Sequence, residues 1–394
     1  MNRQTKLLST EFVAINGIVF LNYCNIALFF YYTEYLSSIS IPVEWFGFLI
    51  AIFSLVILLI RPIISPFSTP HNSKKWVVIS TIFIMMALFS YSFATSVLTM
   101  TLVRILHGLA YVVMTVAITS RLVVAIPPEK SSLAFSIVSV ISLLPYALVP
   151  PFVVWATDIL GSFPKALDLG AILMAITFPL LALVPNERCS SQDGIRSAIS
   201  WKDVEANLKN VSIITVLLVA VIVWGCYAPV FFFLNNFGDS LGIQNPGLFF
   251  TISSFSEIAV RLFCGTLMDK GNKPKLMLAA LIWLGTGYLA MSFVKSSGAF
   301  YSMGLFLGLG WGLIMPLLSS IVFDISEPKF RAFNTNMTFQ MFQLGFFIGP
   351  VVGARLIQQG SFSTIFLFGA LALFIAALCA SIVFRSHQIK ANKG

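Results

Sequence analysis

Apolar runs of about 20 residues dominate the sequence and constrain its fold more than any other feature. A helix needs about 20 such residues to cross the hydrocarbon core of a bilayer. In lipid the backbone must satisfy its own hydrogen bonds, so runs of this length without period-two alternation predict helices and not barrel strands. Twelve runs qualify: residues 12–35, 43–64, 76–94, 97–125, 133–156, 167–184, 213–234, 248–268, 276–294, 301–323, 337–357 and 365–384.

The low content of charged residues excludes a soluble protein of this size. Of the 394 residues, 58% are apolar and 10% are charged, whereas soluble domains have about a quarter charged residues. A cytosolic enzyme or a nucleic-acid-binding module would need more polar surface than this chain supplies. The sequence therefore predicts an all-α membrane protein with twelve transmembrane helices and lipid around them.

Basic residues lie mostly on one side of the predicted spans. With a cytoplasmic N-terminus, nineteen of the 24 Lys and Arg residues fall in cytoplasmic segments and three in outer ones, while Arg104 and Arg261 lie inside spans. Cytoplasmic loops are enriched in Lys and Arg. The bias predicts a multi-pass protein of the inner (plasma) membrane with both termini cytoplasmic, and it accounts for the net charge of +9 without nucleic acid.

The two halves of the chain repeat at a shift of 200 residues. The matching pairs are Arg61 and Arg261, Asn72 and Asn272, Lys75 and Lys275, Gly108 and Gly308, Tyr111 and Trp311, Ser120 and Ser320, and Pro150 and Pro350. Because six spans separate the copies, they have the same orientation, which predicts two pseudo-symmetric six-helix bundles related by an axis along the membrane normal.

The repeat and the longest polar stretch together predict the domain organisation. We expect an N-terminal six-helix bundle at 1–185, a cytoplasmic linker at 186–209 and a C-terminal six-helix bundle at 210–394. Trp201, Val204 and Leu208 recur in the linker at helical spacing. That spacing fits a short interfacial helix and a solvated linker equally well.

The loop after span eight carries the most specific motif of the chain. Residues 265–275 read GTLMDKGNKPK. This loop resembles the G-x-x-x-D-R-x-G-R-K loop of the major facilitator superfamily, with Lys270 in the Arg position and Asn272 in that of the second Gly. The resemblance covers nearly the whole chain and implies a secondary transporter in which Asp269, Lys270 and Lys273 stabilise the closed cytoplasmic side. The first-half copy of the loop lacks both the Gly and the Asp.

Two further elements resemble motifs of the same family. Arg104 and Gly108 form the R-x-x-x-G element of span four, which the resemblance links to proton-coupled transport. A Gly/Pro-rich stretch at 345–353 in span eleven resembles an element typical of antiporters when it lies in span five, but span five here reads PYALVPP and has no glycine. The placement of Arg61 and Arg261 before the two loops resembles the bacterial sugar- and drug-efflux permease branch.

Span four carries the first group of candidate site residues. Ionisable side chains near the centre of a span cost about 2.5–3.5 kcal/mol each, so they are functional candidates. Arg104, His107 and Tyr111 are spaced i, i+3 and i+7 and share one helix face. The stripe predicts substrate binding, with Arg104 holding a carboxylate or phosphate. The alternative is that Arg104 binds a backbone carbonyl and orders the bundle, and that His107 is a satisfied core histidine.

Two acids are candidates for carrying a proton. Glu257 lies four residues before Arg261 on span eight, so both face the same way. The pair is either a structural ion pair or a proton site whose affinity depends on Arg261 and on the substrate. Glu11 is the second candidate, although an acid near the start of span one also fits a helix N-terminus.

Other candidates for substrate binding are amides and aromatic residues on spans that the resemblance places around the inner cavity. They are Asn22, Asn25, Trp224, Tyr227, Trp311, Gln340 and Gln343. Hydrogen bonding between helices is the alternative role for the amides. We expect Asp168 to cap the start of span six, and Arg61 to end span two at the interface.

These features predict proton-coupled secondary transport of a small organic solute by alternating access, and the intramembrane Arg and His residues suggest that the solute is anionic. Export is favoured slightly. Import of a metabolite or a carboxylate metal chelate is the alternative, and a non-transporting receptor on the same fold is a third. The sequence has no G-x-x-x-x-G-K-[ST] stretch for ATP and no clustered catalytic set. We expect the solute, protons and membrane lipid as partners, no cofactor or metal, and a monomer.

Overall fold

The structure is a computed structural model that describes residues 8–68, 70–126, 131–185, 207, 209–263, 271–327 and 330–391. Within these ranges the chain forms helices joined by turns, with no strand. It divides into two compact units, Met1–Gln192 (unit 1) and Asp193–Gly394 (unit 2). In the described ranges, eleven helical segments are long and apolar enough to cross a membrane.

Unit 1 contains the first six predicted spans. Its described helices are α1 (Thr10–Ala27), α2 (Tyr32–Ser38), α3 (Phe46–Ile64), α4 (Pro70–Ser90), α5 (Val97–Ala125), α6 (Ser131–Leu160), α7 (Phe163–Met174) and α8 (Thr177–Ala182). Span one is therefore α1 and α2 joined by a 3-10 turn at Leu28–Tyr31, and span six is α7 followed by α8.

Span six differs from its predicted boundaries. It begins at Phe163, four residues before the predicted start, and its α-helix is interrupted between Met174 and Thr177. The first turn contains Pro164, which is well tolerated there because the first turn of a helix needs no backbone N–H partner. The predicted start at residue 167 therefore misses the first turn of the span.

The capping role expected for Asp168 is wrong. The residue lies in the second turn of α7, and the residue before the helix is Ser162. Asp168 instead accepts hydrogen bonds from Ser92 Oγ, which lies 3.4 Å from each carboxylate oxygen. These contacts tie α7 to the 3-10 turn that follows α4.

Unit 2 contains the last six predicted spans. Its described helices are α9 (Val211–Ser240), α10 (Leu248–Phe263), α11 (Lys273–Met291), α12 (Ser297–Ile325), α13 (Arg331–Gln359) and α14 (Phe362–Ala391). The last five residues of predicted span eight and the linker residues Trp201, Val204 and Leu208 lie outside the described residues.

The same helix pairs pack closely in both units. In unit 1, α3 packs on α5 and α1 packs on α6; in unit 2, α10 packs on α12 and α9 packs on α13. Adding 200 to the residue numbers of each helix pair in unit 1 gives, to within a few residues, the bounds of its counterpart in unit 2, with α1 and α2 together matching α9. The structure thus confirms the predicted fold class, an all-α membrane protein built from two pseudo-symmetric helical bundles.

Glycine allows α12 to lie directly on the backbone of α10. A Cβ atom at Gly308 would lie 2.5 Å from the carbonyl oxygen of Ser253 and 2.7 Å from its Cα. Gly108 holds the matching place on α5, where a Cβ would lie 3.1 Å from the carbonyl oxygen of Phe53. Small residues of this kind let membrane helices approach each other closely.

Large apolar side chains cover the outside of the helices. Leu98 and Phe263 are 69% and 81% exposed, and Trp155 and Leu371 are also exposed. Such surface would be unfavourable in water and is suited to contact with lipid acyl chains. The buried side chains are therefore held inside each bundle and away from lipid.

Candidate functional site

Arg104 is buried on α5, and the backbone of α3 binds it. Its Nε donates to the Leu49 carbonyl oxygen at 2.9 Å and its Nη2 to the Ile50 carbonyl oxygen at 3.0 Å. Three aromatic rings have centroids 4.8, 5.0 and 4.7 Å from the guanidinium carbon: Phe29, Tyr32 and Phe53. Carbonyl oxygens and ring faces both stabilise a buried cation. This geometry corresponds to the structural alternative for Arg104, in which it joins α3 to α5.

His107 lies one turn further along α5 and is fully buried. Its Nε2 is 3.0 Å from the amide nitrogen and 3.1 Å from the amide oxygen of Asn25. Its Nδ1 is 3.3 Å from the Tyr91 hydroxyl. Both ring nitrogens therefore have protein partners, which corresponds to a satisfied core histidine and makes Asn25 part of the same internal network.

A small cavity in unit 1 reaches Asn25. It has a volume of about 40 Å³ and is also lined by Cys24, Phe152 and Gly170. This volume holds a water molecule but not an organic solute. Arg104, His107 and Asn25 thus form a closed polar core, and the solute site must be sought among the other predicted residues.

Tyr111 belongs to a second polar group of unit 1, deeper along α5. Its ring packs on Phe53 with centroids 5.4 Å apart, and Asn22 lies near its hydroxyl. We call this group the tyrosine cluster. Its members come from α1, α3, α5 and α6: Asn22, Tyr23, Arg61, Tyr111, Ser142 and Tyr146.

Sequence reasoning missed three members of the tyrosine cluster and assigned a fourth, Arg61, to the interface. Tyr23, Ser142 and Tyr146 lie on spans one and five without a stripe of their own, because they face Tyr111 from different helices. One signal was available. Tyrosine in membrane helices concentrates at the interfaces, so Tyr23 and Tyr146 in the middle of their spans are unusual.

Glu11 forms a tight ion pair at the start of α1. Its Oε1 lies 2.6 Å from Arg121 Nη2, and the same Arg121 nitrogen donates to the Pro185 carbonyl oxygen at 2.7 Å. Lys74 Nζ donates to the neighbouring Val184 carbonyl oxygen at 2.6 Å. Basic side chains are stabilised at the end of a helix by its exposed carbonyls. Glu11 therefore has the surroundings of a helix-start acid that joins α1 to α5.

Glu257 is buried on α10, with 3% of its surface exposed. Ser253 Oγ donates to Oε1 at 3.4 Å, and Arg261 Nη2 lies 3.6 Å from Oε2. Both distances exceed the 2.7–2.9 Å that is usual for a charge-assisted hydrogen bond. The carboxylate is thus neutralised by Arg261 but is held loosely.

An aromatic wall lies beside Glu257 within unit 2. Tyr227 packs edge-on against Trp311, with centroids 4.7 Å apart, and Trp224 lies 5.7 Å from Tyr227. Phe342 lies 4.5 Å from Trp224, and Phe346 lies within 6.1 Å of both Trp224 and Tyr227. The predicted residues Trp224, Tyr227 and Trp311 are thus brought together, and Phe342 and Phe346 on α13 complete a surface of the kind that lines solute pockets.

The predicted amides of span eleven lie close to this wall along α13. Gln343 is buried. Gln340 is half-buried, and its Oε1 has no hydrogen-bond partner among the described residues. A buried acceptor without a partner costs free energy, so a donor at Gln340 Oε1 would be favourable.

No three metal-binding side chains converge in the described ranges. Cys24 and Cys226 are free thiols inside spans. The polar groups that could act on a solute are therefore the tyrosine cluster of unit 1 and the Glu257 site of unit 2.

The sequence pattern described as the Major Facilitator Superfamily matches residues 15–270 and 245–393. The chain belongs to the Major Facilitator Superfamily. This confirms the resemblance seen in the loop after span eight, and the family match indicates a transporter and not an enzyme.

Two curated relatives of this superfamily chain come from Staphylococcus aureus. The staphylopine export protein of strain Mu50 is 23% identical over 228 residues, which cover 55% of this chain and 56% of that protein. The quinolone resistance protein NorA is 25% identical over 145 residues, covering 36% of this chain and 37% of NorA. The chain therefore matches little more than half the length of the first relative and about a third of the second.

Solved transporter structures share the fold over nearly the whole chain. The nucleoside transporter NupG has a TM-score of 0.77 at 15% identity, covering 95% of this chain and 98% of NupG. A bacterial homologue of the human lysosomal transporter Spinster, inward-facing and occupied, has a TM-score of 0.75 at 12% identity, covering 95% and 96%. At these identities the likeness shows the fold alone.

The superfamily loop after span eight is described only in part. Asp269 and Lys270 lie outside the described residues. Lys273, the third predicted gating residue, pairs with Asp324 at 2.6 Å, so its ion pair joins the start of α11 to the end of α12 within unit 2. A role for this loop in closing the cytoplasmic side remains a prediction.

Proposed function

We propose that the chain exports a small organic solute in exchange for protons, and that Glu257 carries the exchanged proton. The burial of Glu257 carries this proposal. Among the Asp, Glu, His, Lys and Arg residues in the described part of the chain, four are buried: Arg104, His107, Arg121 and Glu257. Glu257 is the carboxylate among them, and an ionisable group inside a span is a functional candidate.

The contacts of the two predicted proton carriers favour Glu257 over Glu11. Glu11 is held by Arg121 at 2.6 Å, so protonating it would break a close ion pair. Glu257 has its nearest basic group at 3.6 Å and a serine hydroxyl at 3.4 Å. A carboxylate that is buried and loosely paired changes its protonation at a smaller cost.

The position of Glu257 also supports competition between proton and solute. A Cβ at Gly312 would lie 3.0 Å from the Glu257 Cα, so α12 rests on the backbone of this residue and its Trp311 begins the aromatic wall. A solute bound at this wall would lie near the acid. We infer that the solute binds when Glu257 is deprotonated, and that protonation releases it.

The solute site in this proposal lies in unit 2. Trp224, Tyr227 and Trp311 would contact its apolar part, with Gln340 and Gln343 as hydrogen-bond partners. Asn22 and Tyr111 of unit 1 stay predicted substrate-binding residues. Arg104, His107 and Asn25 are left out, since their polar atoms face one another or the backbone of α3.

Export is favoured because both curated relatives are named for export or resistance: a staphylopine export protein and a quinolone resistance protein. Import of a metabolite or metal chelate is the second candidate, because span five has no glycine in the PYALVPP stretch. The two candidates differ in the direction in which protons move relative to solute.

Vesicle transport tests the proposal directly. The purified protein would be reconstituted with a pH gradient and given staphylopine and a quinolone as first solutes, with empty vesicles as the control. We expect each transported solute to accumulate on the acidic side as protons leave it. Accumulation on the alkaline side would establish import, and an absence of flux with bound solute would favour a receptor.

We also propose that both termini are cytoplasmic, as the Lys and Arg distribution indicates. A reporter fused after residue 394, active only in the cytoplasm, would be active if this is correct. Activity of a reporter that works only in the periplasm, fused at the same place, would show the opposite orientation.

A further inference from the structure

Ser253 lies one turn before Glu257 on α10 and is fully buried. Its hydroxyl donates to Glu257 Oε1 at 3.4 Å, and Arg261 Nη2 lies 3.6 Å from Oε2. In the described part of the chain the two carboxylate oxygens therefore have different partners, one neutral and one charged. The neutral partner can be removed by substitution without changing the net charge around the acid.

A second serine of α10 shows that the contact of Ser253 is unusual. Serine inside a helix commonly donates to the carbonyl oxygen four residues earlier, and Ser256 does so to Ile252 at 2.7 Å. Ser253 instead donates to the side chain of Glu257, four residues later. Its hydroxyl therefore serves the carboxylate and not the backbone of its own helix.

The backbone of α12 fixes this stretch of α10. A Cβ at Gly308 would lie 2.7 Å from the Ser253 Cα, and a Cβ at Gly312 would lie 3.0 Å from the Glu257 Cα. Small residues allow such close contact between membrane helices. Because α12 rests on the backbone of both residues, the hydroxyl and the carboxylate are held on one face of α10, one turn apart.

Unit 1 has neither member of this pair. The positions 200 residues earlier hold Phe53 and Ile57, which are buried in an apolar group with Tyr111. Gly108 and Gly308 nevertheless give both helix pairs a close contact. Packing of the two helices therefore does not require the serine or the acid, which indicates that the pair serves the chemistry of the carboxylate.

Other titratable groups around Glu257 come from three helices. In the described ranges α10 packs chiefly on α12, whose titratable side chains, Tyr301 and Asp324, lie near its two ends. From α9, the ring of Tyr227 reaches α10, and on α10 itself the charged neighbour is Arg261. All of these groups stay in place when the serine hydroxyl is removed, so its effect can be measured separately.

We propose that Ser253 is a positioning residue for Glu257: its hydroxyl favours the deprotonated carboxylate and so sets the pH at which Glu257 releases its proton. A hydrogen bond donated to a carboxylate stabilises the charged form. The contact is longer than the about 2.5–2.7 Å of a strong O–H···O⁻ bond, so the effect is modest. This inference rests on the proposed function, in which Glu257 carries the exchanged proton.

Infrared spectroscopy of the purified full-length protein in detergent tests the proposal. A protonated carboxyl group has a C=O band that disappears on ionisation, and the band that is missing in Glu257→Gln belongs to Glu257. Its intensity against pH gives a midpoint. Ser253→Ala withdraws a donor from the carboxylate, so the midpoint should rise by about 0.5–1 pH unit. A hydrogen bond of ordinary length to a charged group would shift it by about 1–2 units.

Ser256→Ala is the matched control. It removes a buried hydroxyl from the same helix, but one that donates to the Ile252 carbonyl oxygen, so the midpoint should stay that of the wild type. Each alanine variant loses one oxygen atom and adds none, so both should fold, and thermal unfolding checks this. An unchanged midpoint in Ser253→Ala, or an equal rise in Ser256→Ala, would overturn the proposal.

Transport by the same variants separates this inference from the proposed function. Proton-coupled flux would be measured in vesicles over the same pH range. If the infrared midpoint rises in Ser253→Ala and the flux does not follow, Ser253 positions Glu257 but Glu257 does not carry the exchanged proton. If flux depends on Glu257 while the midpoint is unchanged, the export proposal stands and this inference fails. A Glu257 band that is absent at every pH would overturn both.

Discussion

The α3–α5 pair of unit 1 and the α10–α12 pair of unit 2 are copies of one arrangement that differ in chemistry. In unit 1 the side chain of Arg104 hydrogen-bonds the carbonyls of Leu49 and Ile50. In unit 2 the same position is Gly304, where a Cβ would lie 2.8 Å from the Phe249 carbonyl oxygen. The first pair is joined through a cation and the second through direct backbone contact.

The two helix pairs also bury different ionisable residues. In unit 1, Arg104 and His107 are buried and have protein partners, and Ile57 stands where unit 2 has Glu257. Unit 2 uses glycine for packing and places a loosely held acid at that position. The two copies thus differ in how closely the charged group is held: Arg104 has two hydrogen bonds of 2.9 and 3.0 Å, and the nearest partners of Glu257 among the described residues lie at 3.4 and 3.6 Å.

The largest effect should come from Glu257→Gln. Removing the titratable carboxylate should abolish accumulation of solute against its gradient while leaving passive exchange of solute, because the site is still present. The matched variant Glu11→Gln should keep coupled transport once normalised to folded protein. Both variants would be measured in reconstituted vesicles. Loss of coupling in Glu11→Gln alone would show that Glu11, and not Glu257, carries the proton.

Arg104→Ala should have the second largest effect, on stability. It removes two hydrogen bonds of a charged group and leaves a cavity among Phe29, Tyr32 and Phe53, for a cost of about 2–4 kcal/mol. Thermal unfolding in detergent would measure this, with Arg104→Lys as an intermediate. We expect the folded fraction to keep its affinity for solute. A loss of solute binding by folded protein would show that Arg104 contacts the solute.

The two matched glycines should differ in the cost of one methyl group. At Gly308 the added carbon meets backbone atoms at 2.5 and 2.7 Å, whereas at Gly108 its nearest neighbours are at 3.1 Å. We expect Gly308→Ala to lose about 1–3 kcal/mol and Gly108→Ala less than about 1 kcal/mol. Equal shifts in unfolding temperature would show that the two helix pairs pack alike.

The smallest effect should come from Lys273→Gln. Its partner Asp324 is 49% exposed, and exposed ion pairs contribute at most about 1 kcal/mol. The unfolding temperature should therefore change little. A large change in stability would show that this pair holds α11 to α12 as firmly as Arg121 holds α1 to α5.

Much of the fold could be predicted from the sequence because length and hydropathy are local properties. The fourth predicted span, residues 97–125, coincides with α5 (Val97–Ala125). The shift of 200 residues predicted the paired packing, and i,i+4 spacing predicted the contact of Glu257 with Arg261. Local spacing failed at span six, where Pro164 begins a helix.

The role of Arg104 could not be predicted, because its partners are backbone carbonyls of another helix and carry no sequence signal. A stripe of spacing i, i+3 and i+7 shows which residues share a face but not what that face meets. Tyr111 accordingly separates from Arg104 and His107 and joins Tyr23 and Tyr146. These tyrosines come from three different helices, so only the packing of unit 1 brings them together.

Proton release on solute binding is the most direct test of Glu257 as the exchange site. The purified protein in weakly buffered detergent solution would receive staphylopine or a quinolone while the pH is recorded. Because linked binding is reciprocal, a solute that competes with a proton at Glu257 must release that proton when it binds. We predict acidification with the wild type and none with Glu257→Gln at equal solute binding. Equal acidification by the two proteins would contradict Glu257 as the proton carrier.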